Sequence, residues 1–375
     1  MRRFRRWYER AVLADAPGVG PTAIRLLYRL VSFAYALAVH LRRLAYAAGC
    51  VRPVRVPVPV LSVGNLTAGG TGKTPAAFWL CRLLVRRGLR VALLSRGYGR
   101  TAGGGDDEAP PPGLLPEGVV RLTGRRRDLL ASEAVSVHGA QAIVLDDGFQ
   151  HWRLARDLDL VCIDALDPFG NERMLPAGPL REPLSALGRA SAFLITRADL
   201  AEPEMLGGVR ARLRALADGR PVAESVHKPV VLVDVADAVR RERPLEWLRG
   251  RSVLAFSGIG NPVGFERTLA SLGAEVVQCR RFPDHHVYSG EDLRRIVAEA
   301  REFMAEALVT TEKDAARLAG TALSVPLLAL RIELEVVRGG EALEAVLSGA
   351  LAAKVVRPEG SGMAPGGGTK EDRAT

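Results

Sequence analysis

Residues 58–88 read VPVLSVGNLTAGGTGKTPAAFWLCRLLVRRG. The first eight, Val58 to Asn65, have the apolar run of a buried strand, and those after Lys73 space their apolar side chains as a helix that Gly88 ends. A glycine-rich loop joins the two. Strand, glycine loop and helix is the arrangement that cradles phosphate: Gly69, Gly70 and Gly72 let backbone N–H groups converge without a Cβ in the way, and the helix N-terminus adds positive potential. The loop comprises Thr67, Ala68, Gly69, Gly70, Thr71, Gly72, Lys73 and Thr74. Lys73 is expected to reach the β- and γ-phosphates of a nucleotide and Thr74 to ligate magnesium. Thr67 stands where the pattern G-x-x-x-x-G-K-[ST] has its first glycine, so the entry to the loop varies while its phosphate-facing part is intact. Pro75 is tolerated because first-turn N–H groups have no intrahelical partner.

A phosphate loop of this kind needs an acidic anchor, and AIVLDDGFQH, residues 142–151, supplies one about 70 residues later. Four apolar residues form a strand whose carboxyl end presents Asp146 and Asp147, where ligands bind in open α/β sheets. One of the two would hold magnesium or its bound water; a plain Asp-Asp-Gly turn is the alternative. Further short apolar runs at Val91–Ser95, Leu160–Ile163 and Ala192–Thr196, separated by helix-like segments, indicate a parallel sheet covered on both faces. A second series starts near Val230 with VVLVDV, SVLAFSGIG, AEVVQCRRF and EALVTTEKDAARL. The expected fold is therefore α/β: a P-loop NTPase-like parallel sheet flanked by helices, a second and smaller α/β lobe, and an N-terminal interfacial helix. The boundaries are 1–50 for the helix region, 51–228 for the P-loop lobe, 229–356 for the second lobe and 357–375 for a disordered tail of Gly, Pro and charge.

With 375 residues the chain can bury a large core, and its net charge of +10, biased to arginine, favours anionic partners. Cys50, Cys81, Cys162 and Cys279 are far apart, which indicates neither a zinc site nor a disulfide framework and fits a reducing compartment. The start MRRFRRWYERAV has no apolar core or cleavage site beside its charges, so it does not read as a secretory signal. From Thr22 to Cys50 apolar residues recur at helical spacing between arginines, but the uninterrupted part, Leu30 to Leu41, is about 12 residues, short of the ~20 that span a bilayer. A helix lying on a membrane surface and a helix packed on the domain both fit this pattern. Scattered basic residues without an aromatic-interleaved stripe argue against nucleic acid.

Two glycines before TGKT also suggest the deviant Walker ATPases of membrane surfaces, but those carry a lysine where this chain has Ala68. TRAD, Thr196 to Asp199, has some likeness to the guanine-reading [NT]-K-x-D, with Arg197 in place of the lysine.

A set of longer strings narrows the choice. SVGNLTAGGTGKTP, LSRGYGR, LDDGFQH, RDLDL, LPAGPLREPL, FSGIGNP, FPDHHVY and VTTEKDAARL occur in this order between Ser62 and Leu318, within a likeness that covers roughly residues 20 to 335. The set resembles the tetraacyldisaccharide 4'-kinase family of lipid A biosynthesis. The resemblance implies two P-loop-like α/β lobes around a cleft. It also implies transfer of the γ-phosphate of ATP, with Mg2+, to the 4'-hydroxyl of a tetraacylated glucosamine disaccharide 1-phosphate. The implied location is the cytoplasmic face of the bacterial inner membrane, with the N-terminal helix on an anionic lipid surface, and no protein partner is implied. The family is thought to pair a histidine near the DHH string with an aspartate, here His285 or His286 and Asp107. The aspartate is where this chain departs from the family: a G-D-E-P string is expected, and Gly105 to Pro110 carries an insertion behind a shortened hairpin. His151 and Glu182 are expected to face the cleft, with helix capping or a buried hydrogen bond as the alternative. Arg96, Arg100 and Arg181 are expected to meet phosphate, because guanidinium forks match its geometry. The competing readings are a nucleotide-switched ATPase or GTPase at a membrane surface and an inactive nucleotide-binding homologue.

Overall fold

The computed structural model describes residues 19–97, 115–217, 219–235, 241–284, 286–318 and 323–354. Asp107, Arg100 and His285 lie outside the described residues, as does the tail from residue 357.

Buried apolar runs form the centre of a twelve-stranded sheet. β1 (Val60–Gly64) has all five residues buried and lies between β4 (Ala142–Asp146) and β5 (Leu158–Asp164), parallel to both. β2 (Val91–Ser95) pairs β4, and β3 (Val120–Thr123), a half-buried strand that the apolar runs do not announce, pairs β2. On the other side β6 (Ala192–Thr196) pairs β5, and β7 (Val222–Asp234) pairs β6. A short β8 (Glu242–Arg243) pairs β7. The second series supplies β9 (Ser252–Ser257), β10 (Glu275–Arg281), β11 (Ala307–Thr311) and β12 (Leu327–Arg338), in the sheet order β10-β9-β11-β12.

β7 and β12 join the two halves as an antiparallel pair. VVLVDV is thus not a new strand but the second part of β7, which begins parallel to β6 and continues antiparallel to β12, across the expected 228/229 boundary. The ladder slips where Ile332 meets Pro229. Proline cannot donate to a ladder, so it sits at the irregularity.

Among the described helices, α1 (Val19–Ala47) precedes the sheet, and α2 (Lys73–Arg86) buries Ala76, Ala77, Leu80, Cys81 and Leu84 against it. α3 (Arg127–Ser136), α4 (Pro203–Ala217), α5 (Pro262–Ser271), α6 (Gly290–Glu302), α7 (Glu312–Ala315) and α8 (Gly340–Ala352) follow. α8 returns to the first half: Leu343, Leu347 and Leu351 share a core with α2, and Lys354 Nζ lies 2.9 Å from Asp157 Oδ2.

α1 is docked mainly through polar groups. Ser32 Oγ donates to the Met174 carbonyl at 3.0 Å and accepts from Ala177 N–H at 2.9 Å, and Tyr35 Oη donates to the Arg181 carbonyl at 3.0 Å. Leu26, Leu30, Phe33, Leu37, Leu41 and Leu44, spaced three or four apart along one stripe, are exposed. No described helix is long and apolar enough to cross a membrane.

Candidate active site

The carboxyl ends of β1, β4 and β6 face those of β9 and β11 across a cleft of about 480 Å³. One wall is the loop from Gly69 to Pro75, and the facing wall carries Gly260, Asn261, Asp284 and Lys313. Gly72 turns the chain into α2 with φ 79°, the left-handed region that favours glycine. Gly64 is required by packing, since a Cβ there would stand 2.5 Å from Phe149 Cβ, which brings the β1 and β4 loops together.

Entry into the loop is held by the LPAGPLREP segment. Thr67 bridges Leu180, and Ala68 N–H donates to the Pro179 carbonyl at 2.7 Å. Thr67 and Ala68 therefore support the loop from outside the cleft, whereas Gly69 to Thr74 line it. Lys73 Nζ donates to the Gly69 carbonyl at 3.3 Å and lies 3.8 Å from Asp147 Oδ1.

The two aspartates have different surroundings. Thr74 Oγ1 donates to Asp146 Oδ2 at 2.9 Å, while the buried Asp146 Oδ1 has no hydrogen-bond partner among the described residues. Burial raises the Asp146 carboxyl above its ordinary pKa, and the Asp147 charge adds to this. Asp147, with φ 54°, takes two contacts of 2.8 Å from Arg181 Nη1. Burial works to raise Asp147 as well, but Lys73 and Arg181 outweigh it and hold its pKa below the ordinary value. Arg127, which the sequence did not single out, donates to the carbonyls of Asp146 and Asp147 at 2.8 and 3.0 Å and fixes the strand end.

Arg96 and Arg181 line the cleft, together with Lys313 of the VTTEKDAARL string and Arg121 of β3, which local pattern does not mark as functional. Lys313 Nζ donates to Asp284 Oδ1 at 3.0 Å. Glu182 is buried in an ion pair with Arg189 at 2.8 Å rather than lining the cleft, the buried-hydrogen-bond alternative. Arg189 in turn stacks over Phe149 and Trp152. His151 is also absent from the cleft lining; burial and then Arg127 lower its pKa to about 4, so it is neutral near pH 7. His286 Nε2 lies 3.0 Å from Asp292 Oδ2, and its ring stacks on Phe282 with centroids 4.6 Å apart. Asp292 belongs to the Ser289 capping box of α6, a partner that no sequence spacing indicated.

Magnesium fits this arrangement. A buried carboxylate oxygen without a partner stands beside a threonine hydroxyl, and Mg2+ is commonly bound by one or two protein oxygens with substrate phosphates completing the shell. Among the described residues no cluster of three or more His, Cys, Asp or Glu is placed to hold a metal by itself.

A phosphate loop and an acidic strand end, facing a second α/β wall across a cleft, define a P-loop phosphotransferase. A family model described as tetraacyldisaccharide-1-P 4'-kinase matches residues 24–352, and the chain belongs to that family. It is 47% identical over 336 residues to a tetraacyldisaccharide 4'-kinase of Anaeromyxobacter sp. (strain K), covering 84% of this chain and 88% of that protein. A relative of the same name from Anaeromyxobacter dehalogenans (strain 2CP-C) is 46% identical over 335 residues, covering 83% and 86%. Among solved structures, "apo" form LpxK from Aquifex aeolicus in complex with ATP superposes with a TM-score of 0.66 at 29% identity, covering 86% of this chain and 97% of that one.

Proposed function

We propose that this protein transfers the γ-phosphate of ATP to the 4'-hydroxyl of a tetraacylated glucosamine disaccharide 1-phosphate, giving the 1,4'-bisphosphate. The observation that carries this reading is the Gly69–Thr74 loop beside the Thr74–Asp146 contact, in a chain of this kinase family. The hydroxyl oxygen forms a bond to the γ-phosphorus as the bond to the β–γ bridging oxygen breaks; ADP leaves, and the hydroxyl proton passes to a base. Such transfer is mainly positioning and charge neutralisation. Lys73 neutralises the β- and γ-oxygens. We assign magnesium to Thr74 and Asp146, where it would offset phosphate charge, and give Asp147 the task of orienting Lys73 and Arg181. Arg96 and Arg181, with Arg121, are suited to the substrate's phosphates. In this reading 51–228 and 229–356 form the two walls of the cleft and share β7.

We assign the base to His285, because His286, stacked on Phe282 and bound to Asp292 of the α6 capping box, does not line the cleft. Asp107 is its proposed carboxylate partner. Radiolabelled γ-phosphate transfer to tetraacyldisaccharide 1-phosphate in detergent micelles tests the function and this assignment together. Wild-type protein is expected to label the lipid, His285→Ala to lose about 10²-fold or more, and His286→Ala to lose less. Absence of label with wild type rejects the kinase reading, and the reverse order of the two variants rejects the base assignment.

α1 is proposed to lie on the cytoplasmic face of the inner membrane with its apolar stripe in the lipid and the exposed Arg29 toward anionic headgroups, while Arg42 and Arg43 bond the Gln150 carbonyl and Ser185 of the protein body. Replacing Leu30, Phe33 and Leu37 together with serine should weaken cosedimentation with phosphatidylglycerol-containing vesicles roughly a thousandfold or more, since each buried apolar side chain contributes about 1.5–3 kcal/mol. Unchanged partitioning would remove α1 from the membrane.

A further inference from the structure

The end of β6 turns two consecutive side chains back onto the phosphate loop. Thr196 Oγ1 donates to the Thr71 carbonyl at 3.0 Å, and Arg197 Nη2 donates to the Gly70 carbonyl at 2.7 Å. Both residues are buried, at 0% and 6% exposure. The guanidinium is held from its other edge by Asp164, the last residue of β5, through Nε to Oδ1 at 3.0 Å and a second contact from Nη2 to Oδ2. Asp164 Oδ1 also accepts the Leu166 N–H at 3.1 Å. Arg197 adopts φ 58°, a left-handed conformation costing an arginine about 1 kcal/mol or more, which the surrounding contacts must hold in place. Gly72 packs against the same threonine: a Cβ there would meet Thr196 Cγ2 at 3.2 Å.

We infer that Thr196 and Arg197 form a clamp that presets the phosphate loop, acting on ATP as positioning residues through the loop backbone. The inference rests on the reading that this loop holds ATP phosphates. A trans peptide points its carbonyl and the following N–H in opposite directions. Holding the Thr71 carbonyl from the β6 side therefore turns the Gly72 N–H away from β6, and holding the Gly70 carbonyl fixes the plane before it. Glycine-rich backbone loses the most conformational freedom on ordering, so setting these planes beforehand removes part of the cost of binding. The opposite edge of the loop, where Thr67 replaces the first glycine, is held by Pro179 and Leu180. Arginine suits the clamp because its planar fork serves Asp164 and Gly70 at once, which a lysine ammonium on a flexible stem does less well.

The test compares Arg197→Met, Arg197→Lys and Thr196→Val in the full chain. It reads kcat, KM for ATP and KM for the acylated disaccharide in micelles, and separately the binding of methylanthraniloyl-ATP. Arg197→Met is expected to raise KM for ATP and the dissociation constant of the fluorescent nucleotide about tenfold, with KM for the lipid within about twofold. Thr196→Val should give a smaller rise in the same two quantities, and Arg197→Lys should recover part of the loss. Nucleotide affinity within twofold of wild type in folded Arg197→Lys and Thr196→Val overturns the clamp, as does an equal rise in KM for both substrates. These two variants decide the matter if Arg197→Met does not fold. Wild-type protein that binds the nucleotide but labels no lipid would reject the kinase reading and leave the binding comparison to judge the clamp.

Discussion

Lys73→Met is expected to lower kcat for phosphoryl transfer by roughly three orders of magnitude, with the fold retained. The ammonium sits at the mouth of the loop, 3.3 Å from the Gly69 carbonyl and 3.8 Å from Asp147 Oδ1, so it reaches the loop interior without being locked in a buried pair. Charge placed where negative charge moves during transfer is worth far more in a water-poor cleft than in solvent, and removing one such donor commonly costs 10²–10³ or more. Stability should fall modestly, because Lys73 offsets the charges of both buried aspartates, while Asp147 keeps both contacts to Arg181. Label transfer and a thermal melt on the same preparation check this. A variant that melts cooperatively and retains more than about a tenth of the wild-type rate would remove Lys73 from the mechanism.

Asp146→Asn is expected to lose roughly 10²–10⁴ in kcat/KM while melting at a higher temperature than wild type near pH 7. The activity term follows from the proposed metal position: asparagine can keep the Thr74 hydrogen bond but has no charge for magnesium. The stability term has the opposite sign. The folded protein holds the Asp146 pKa above its ordinary value, first through burial and then through Asp147. A carboxyl with a raised folded pKa binds its proton more tightly in the folded state, so its contribution to stability is present at low pH and is lost as pH rises through the folded pKa. Ionised Asp146 thus opposes folding at neutral pH, and the neutral amide removes that cost. Melting temperature measured in metal-free buffer between pH 4 and 8 should show the gain over wild type shrinking as pH falls. A variant destabilised at every pH would mean that Asp146 is a structural carboxylate.

Local pattern carries some of these features and not others. The loop from Gly69 to Thr74 and the DDG strand end were legible because phosphate binding by backbone demands glycine at fixed places and a carboxylate at a strand terminus. The second half of the molecule was legible as α/β from its apolar runs, but not the path of β7, since one strand that pairs β6 at its start and β12 at its end looks in sequence like an ending and a new beginning. β3 escaped notice because its half-buried edge lacks a full apolar run. At the site, Arg127 and Arg121 are arginines among many, and their positions depend on elements that meet only in three dimensions. Glu182 shows the converse: it is one residue from Arg181, yet its carboxylate is neutralised by Arg189 away from the cleft.

By itself the sequence determined the class of chemistry, because a phosphate loop and its acidic anchor are short-range devices written within a few residues each. The ordered strings between Ser62 and Leu318 pointed to the family for the same reason. Tertiary structure alone decided which carboxylate stands beside Thr74, which is held by Arg181, and that Thr196 and Arg197 brace the loop from a strand more than 120 residues away. Those assignments are set by burial and charge between distant segments, and neither quantity exists until the sheet has formed.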